Sequence, residues 1–432
     1  MIPRHTIRVV TLGCAKNTVD SEVLMGQLKL NNIKVLKEGE KGKADTVIIN
    51  TCGFIHDAKE ESIETILQYI TQKEEGRLQH VFVMGCLSER YKKDLQKEIP
   101  EVDAYFGVNH ISEIIHIIGG IYKKELIHER YITTPSHYAY LKIAEGCDRR
   151  CSFCAIPGIR GKHASKPIEH IMQEAKSLSQ KGVKELLLIA QDLTYYGLDI
   201  YKKQALPELV KQLSDTELFP WIRLHYLYPT TFPETLLSLI AERENICNYI
   251  DIPLQHVNSR ILKSMHRGID KKGTVDLIHK FRHYLPDAAI RTSFIVGYPN
   301  ETEEEYMELL DFVKEMRFDR VGVFTYSPEE NTPAFKLKDN VPEQVKQQRA
   351  AEIMQIQENI SFELNQEKVG KTLDVLIDRE EGEYYVGRTA YDSPEVDNEV
   401  LIKKEYKLQA GAFYKAKVIS ADSFDLYASV VK

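Results

Sequence analysis

The chain has 432 residues, 43% hydrophobic and 28% charged, with seven cysteines and a formal net charge of −7. That length exceeds what one hydrophobic core usually serves, so two to four domains are expected, and the ordinary globular composition excludes a fibrous or largely disordered chain. The acidic balance excludes broad electrostatic adhesion to nucleic acid, while leaving room for a local basic groove or a basic protein partner.

The opening "MIPRHTIRVVTLGC" lacks the apolar core of a signal peptide, and no run of eighteen apolar residues follows. A cytoplasmic protein with no membrane span is expected. In a reducing compartment the cysteines do not read as disulfides, and clustered ones read as metal ligands or catalytic groups.

Three β-branched runs, "IRVVTLGC", "DTVIINTC" and "HVFVMGC", each end in cysteine and are each followed by a helical stretch. Runs this short, flanked by helices, predict parallel strands with crossover helices, an open parallel-sheet domain over residues 1–125. Cys14, Cys52 and Cys86 then lie just past the carboxyl ends of adjacent strands, where open α/β sheets gather ligands, and near helix N-termini, which favour thiolate. One cysteine there would read as a small core residue. Three in matching positions predict a shared metal site.

From Tyr138 the runs "YLKIAEG", "VKELLLIAQ", "WIRLHYL", "YIDIPLQH", "AIRTSFIVG" and "RVGVFTYS" alternate with helical stretches. Six βα units fall short of the eight of a closed barrel and predict an open, TIM-like partial (βα)6 barrel over residues 137–366, with its site at the C-terminal strand ends. The stretch "VPEQVKQQRAAEIMQIQENISFELNQEKVG" reads as a long polar connecting helix. Beyond it five short strands predict a small OB-like β-barrel over residues 368–432, which completes an α/β fold. Ten Lys and Arg against twelve Asp and Glu make that module acidic, where an RNA-binding one would be basic.

The first strand of the central domain runs into "EGCDRRCSFCAIPGIRG", which sets Cys147, Cys151 and Cys154 in a C-x3-C-x2-C pattern. Seven cysteines scattered at random would give this spacing roughly 0.002 times. Structural zinc wants four ligands, and neither a second cysteine pair nor His163 completes the set. Three thiolates suit a 4Fe-4S cluster that leaves one iron open to a substrate.

This loop resembles the signature of the radical S-adenosylmethionine enzymes, including the aromatic Phe153 before the third cysteine, although a core aromatic would read the same. In that superfamily the open iron chelates the amino and carboxylate groups of S-adenosylmethionine, and electron transfer cleaves the sulfonium to a 5′-deoxyadenosyl radical. On that resemblance Gln191 and Asp192 of "LIAQDLTYYG", and Ile295 and Gly297 of "IRTSFIVGYPNETEEEY", are carried over as cofactor contacts. The acidic "NETEEEY" is also what any helix start would carry.

Over essentially the whole chain, "TLGCAKNTVDSE", "NTCGFI", "MGCL", the cysteine loop, "AQDLTYYG" and "DIPLQHVNSRILKSMHRG" resemble the radical S-adenosylmethionine methylthiotransferase family, RimO type, whose terminal barrel is a TRAM domain. The resemblance implies that Cys147, Cys151 and Cys154 hold the radical-generating cluster. It gives Cys14, Cys52 and Cys86 an auxiliary 4Fe-4S cluster, also with an open iron. The implied reaction methylthiolates the β-carbon of an aspartate in the twelfth small-subunit ribosomal protein, fed by a low-potential donor such as flavodoxin or ferredoxin. No catalytic acid or base is assigned.

Relatives that methylthiolate isopentenyladenosine in transfer RNA share these clusters and folds. The acidic terminal module, and "AIPGIRG" where the RNA enzymes are expected to carry "PYTRG", disfavour that substrate. A non-catalytic iron–sulfur carrier is the reading from another class, but carriers normally saturate their clusters with four protein ligands. Gln255 and His256 of "PLQH" face the expected cavity, a placement as often structural. Cys247 and Trp221 read as core.

Overall fold

Strand β1 (Thr6–Thr11) leads into helix α1 (Ala15–Leu30), then β2 (Lys34–Lys37), β3 (Thr46–Thr51), α2 (His56–Glu74), β4 (His80–Gly85), α3 (Cys86–Glu98), β5 (Ala104–Tyr105) and α4 (Ile111–Ile117). The five strands form one parallel sheet in the order β2-β1-β3-β4-β5. Helices cover both faces, which is why the inner strands are near-continuous apolar runs and not alternating ones. Val47, Ile49, Val81 and Val83 pack against Ile66, Ile70 and Leu95 on one face. Ile48, Phe82 and Met84 pack against Leu24, Leu28 and Ile114 on the other.

This computed structural model describes residues 6–431. The chain divides into two units, one of Met1–Thr134, Tyr140–Arg149 and Ala155–Leu178, the other of Pro135–Ala139, Arg150–Cys154 and Ser179–Lys432.

After β6 (Tyr138–Lys142) come β7 (Ala144–Glu145), α5 (Ile156–Arg160), β8 (Ala164–Ser165), α6 (Ile168–Gln180), β9 (Glu185–Ile189), α7 (Leu206–Asp215), β10 (Trp221–Leu224), α8 (Glu234–Glu242) and β11 (Tyr249–Asp251). There follow α9 (Ser259–Ser264), α10 (Lys271–Tyr284), β12 (Ala289–Val296), α11 (Glu303–Met316), β13 (Arg320–Thr325) and α12 (Glu343–Gln366). One three-stranded sheet has the order β10-β9-β6 and another β11-β12-β13. Backbone bonds from Cys247 N to Ile222 O (2.9 Å) and from Leu227 N to Asp251 O (2.9 Å) join them, giving an open arc of six strands. Thr302 and Glu305 form a capping box at the start of α11, so the acidic run there serves the helix end.

Helix α12 does more than connect. Ile353 and Ile360 are buried, and Gln357 Nε2 donates to Phe318 O at 2.8 Å, so the helix packs on β13 and α11 as the barrel's last layer.

Strands β14 (Thr372–Glu381), β15 (Tyr384–Arg388), β16 (Val400–Lys403), β17 (Phe413–Ala421) and β18 (Leu426–Val430) close into a barrel in the order β14-β15-β16-β18-β17. Its core is Val375, Ile377, Val400, Ile402, Ala416, Val418 and Leu426. The barrel seats on the central domain through Trp221, whose ring meets Phe413 edge-on at 4.8 Å, with Cys247 in the same buried cluster. Beside it Glu185 binds Arg223 and Arg388, each at 2.7 Å. Among the described residues no helix is long and apolar enough to cross a membrane.

Candidate metal centres

Cys14 is the residue before α1, Cys52 directly follows β3, and Cys86 opens α3 directly after β4. Because β1, β3 and β4 are adjacent and parallel, all three turns lie along one sheet edge. The turns touch. A Cβ at Gly13, whose φ is +88°, would fall 2.7 Å from Cys52 Cβ and 3.0 Å from its Sγ, and one at Gly53 would fall 2.6 Å from Leu87 Cα. Only glycine permits so close an approach. Ser62 fixes the middle turn, accepting from Cys52 N at 3.0 Å and donating to Cys52 O at 2.9 Å.

Burial pushes the Cys86 thiol up to about 12, against the lowering influence of Arg160. Burial also raises the Cys52 thiol, against a hydrogen bond from the Phe54 backbone. Desolvation therefore outweighs the helix ends at these two sulfurs. Three soft sulfurs at one edge, two of them short of compensating charge as thiolates, are a donor set that fits an iron–sulfur group.

In the second loop Cys147 N donates to Gly161 O at 3.1 Å, and Cys154 N donates to Cys151 O at 3.1 Å. Ser152 is held on both sides of its peptide, donating to Met265 O at 3.0 Å and accepting from Ala334 N at 2.8 Å, while its hydroxyl meets Tyr298 Oη at 2.9 Å. Phe153 packs with Ile261, Met265, Tyr298 and Ile295. The aromatic before the third cysteine thus anchors the loop.

Cys151 is buried, and its Sγ accepts a hydrogen bond from Arg267 Nη1 at 3.3 Å and lies 3.5 Å from Tyr228 Oη. The Arg267 guanidinium stacks on the Tyr228 ring at 4.3 Å and donates to Pro253 O. Sequence reasoning missed Arg267, although it stands in the quoted "SMHRG". His163 Nε2 lies 3.0 Å from Ser165 Oγ.

Gln191 and Asp192 follow β9. Gln191 is half-buried; Asp192 is buried, and its Oδ1 accepts from Thr194 N at 2.8 Å and Thr194 Oγ1 at 2.6 Å, capping a short 3-10 turn. Ile295 shares the face of β12 that carries Arg291 and Ser293, opposite the buried Phe294 and Val296. Its N–H donates to Gln255 O at 2.8 Å, which places Gln255 against β12. Gly297 follows β12 and lies against the buried Lys346 side chain. Ile295 therefore meets the cysteine loop through Phe153, while the Asp192 carboxylate is engaged within its own turn. His256 is fully buried, its Nδ1 accepts from Asn258 N at 2.9 Å, and burial holds its pKa down to about 3, so the ring is a neutral structural group.

Family models match the chain in three stretches: Uncharacterized protein family UPF0004 at residues 6–107, the Radical SAM superfamily at 141–313 and the TRAM domain at 369–431. A ribosomal protein uS12 methylthiotransferase RimO from Christiangramia forsetii is 56% identical over 99% of this chain and 94% of its own. One from Phocaeicola vulgatus is 53% identical over 99% of this chain and 100% of its own. Among solved structures, the radical S-adenosylmethionine methyltransferase TsrM from Kitasatospora setae, with cobalamin and a 4Fe-4S cluster bound, superposes with a TM-score of 0.55 at 14% identity, covering 77% of each chain. The cobalamin-dependent radical enzyme OxsB gives 0.53 at 12% identity over 77% of this chain and 55% of its own. These two show likeness of fold. The full-length identity decides the family: the chain belongs to the RimO family of ribosomal protein uS12 methylthiotransferases, within the radical S-adenosylmethionine enzymes.

Proposed function

We propose that this chain methylthiolates the β-carbon of an aspartate in ribosomal protein uS12, with Cys147, Cys151 and Cys154 holding one 4Fe-4S cluster and Cys14, Cys52 and Cys86 a second. The observation that carries this is the pair of three-cysteine sets, one on touching turns along the edge of a parallel sheet and the other in a loop that opens a partial barrel. When bound, the clusters and S-adenosylmethionine supply a radical able to take hydrogen from an unactivated carbon and the sulfur that replaces it.

The chain's own part is to bind and shield. Gln191 and Asp192 at the end of β9, with Ile295 and Gly297 at the end of β12, hold the cofactor. Met265, Ala334 and Tyr298 fix the Ser152 peptide and hydroxyl, so the cysteine loop is held before anything binds. The work divides over residues 1–125 for the auxiliary cluster, 137–366 for radical chemistry and 368–432 for the TRAM barrel. That acidic barrel suits a basic ribosomal protein better than transfer RNA. A low-potential donor such as flavodoxin or ferredoxin completes a cytoplasmic system.

Two full-length variants test the assignment, one with Cys147, Cys151 and Cys154 replaced by alanine and one with Cys14, Cys52 and Cys86 replaced. Each should load half the iron of the wild type, and only the second should release 5′-deoxyadenosine on anaerobic reduction with S-adenosylmethionine. Equal cofactor cleavage by both would overturn it.

A further inference from the structure

Arg160 ends α5, six residues past Cys154 in the radical loop, yet its guanidinium lies among the residues around the other cysteine set. It is 3% exposed. Its Nη1 donates to Asp20 Oδ2 at 3.1 Å and Glu145 Oε1 at 2.9 Å, and its Nη2 to Asn17 Oδ1 at 2.5 Å. Lys142 Nζ closes the ring, bonded to Asp20 Oδ1 and, at 2.6 Å, to Glu145 Oε2. Two cations against two carboxylates leave this buried group neutral, and the planar fork of arginine spans three acceptors that lysine could not reach together.

Asn17 extends the contact to every cysteine turn. Its Nδ2 donates to Leu12 O at 2.8 Å, two residues before Cys14, and to Thr51 O at 3.2 Å, directly before Cys52. The Cys86 Sγ lies 3.8 Å from Asn17 Oδ1, the same atom that accepts from Arg160 Nη2. The next residue, Gly161, accepts the Cys147 N–H at 3.1 Å. The Arg160–Gly161 pair thus links the first cysteine set to Cys147.

The geometry points to Arg160 as a positioning residue of the auxiliary site: it holds Asn17, which reaches Cys86, balances the Asp20 and Glu145 carboxylates beside the cluster, and ties that site through Gly161 to the first cysteine of the radical loop. This rests on the assignment of Cys14, Cys52 and Cys86 to a cluster. Without Arg160, Lys142 alone faces Asp20 and Glu145, and the net negative charge left beside the cluster disfavours its reduced, more negative form, so Arg160 raises the potential. A residue needed only for folding would leave the potential of a loaded cluster unchanged.

The test uses the full chain with Cys147, Cys151 and Cys154 replaced by alanine, reconstituted with iron and sulfide and titrated electrochemically under electron paramagnetic resonance. Arg160→Gln should lower the midpoint potential and alter the spectrum, and Arg160→Lys should restore most of the potential. An unchanged potential in Arg160→Gln, or a shift as large in Arg160→Lys, would overturn the role. If Arg160→Gln takes up no iron, Asn17→Ala gives the same reading with the charged ring intact, an altered spectrum supporting the role and an unaltered one overturning it. A parent chain that loads no iron would overturn the cluster assignment itself, and the inference with it.

Discussion

Replacing Glu185 by Gln probes how the TRAM barrel is held. Glu185 is fully buried, with Oε1 accepting from Arg223 Nε and Oε2 from Arg388 Nη1, both at 2.7 Å. Burial alone would raise this carboxyl, but the Arg388 and Arg223 charges hold it below the usual range, so it is ionised at neutral pH. In Glu185→Gln, Arg388 keeps the Asp378 carboxylate at 2.6 and 3.0 Å. Arg223 keeps only the carbonyls of Ala390 and Thr389 and the face of Tyr249. Removing one partner of a buried pair costs about 3–5 kcal/mol, and since glutamine preserves shape and one acceptor we expect about 3. The chain's single tryptophan, Trp221, sits in the same seat against Phe413, so its fluorescence reports this unfolding step. With a urea slope of about 3 kcal/mol/M the midpoint should fall by about 1 M. Adding Arg223→Met should recover part of the loss by removing the uncompensated cation. A midpoint unchanged from wild type would refute the reasoning.

Cys147→Ser should abolish formation of 5′-deoxyadenosine, whereas Cys52→Ser should keep some cleavage but lose methylthiolation; identical failure, with the radical-site cluster intact in Cys52→Ser, would contradict the division of labour. Arg267→Gln removes the N–H that reaches Cys151 Sγ at 3.3 Å, a charge-assisted bond of about 1.5–3 kcal/mol. The radical-site cluster should then reduce at lower potential, which a redox titration of the reconstituted enzyme reads directly. The Asp251 carboxyl, despite burial, is held down to about 2 by the His225 hydrogen bond and charge and by Arg291. Its contribution is full above the ordinary value of 3.8 and is lost as pH falls from there through about 2. Asp251→Asn should therefore cost roughly 2 kcal/mol at pH 7 and flatten the acid limb of the stability curve, which urea titrations at pH 2.5, 4 and 7 would show.

The three strand-to-cysteine turns were legible because an apolar run, a break and a soft ligand coincide in a few residues each. Short edge strands were not: "KVLK" of β2 and "AY" of β5 carry too little pattern to stand out. Helix α12 looked like a connector because its buried face is sparse, with Ile353 and Ile360 set among polar residues and Arg349 and Gln357 buried by their hydrogen bonds. In the site, local spacing gave the cysteines but not what surrounds them. Lys142 meets Asp20 across 122 residues of chain, and Arg160 meets Asn17 across 143, so only the fold reveals the charged ring. Arg267 lay within a quoted motif, but nothing local says that its guanidinium reaches Cys151, 116 residues away.

The most direct measurement offers the reconstituted enzyme, with S-adenosylmethionine and a reductant, both ribosomal protein uS12 and a transfer RNA carrying isopentenyladenosine, and analyses each by mass spectrometry. The account predicts one added methylthio group on a single aspartate of uS12 and none on the RNA. Modification of the RNA alone would contradict it.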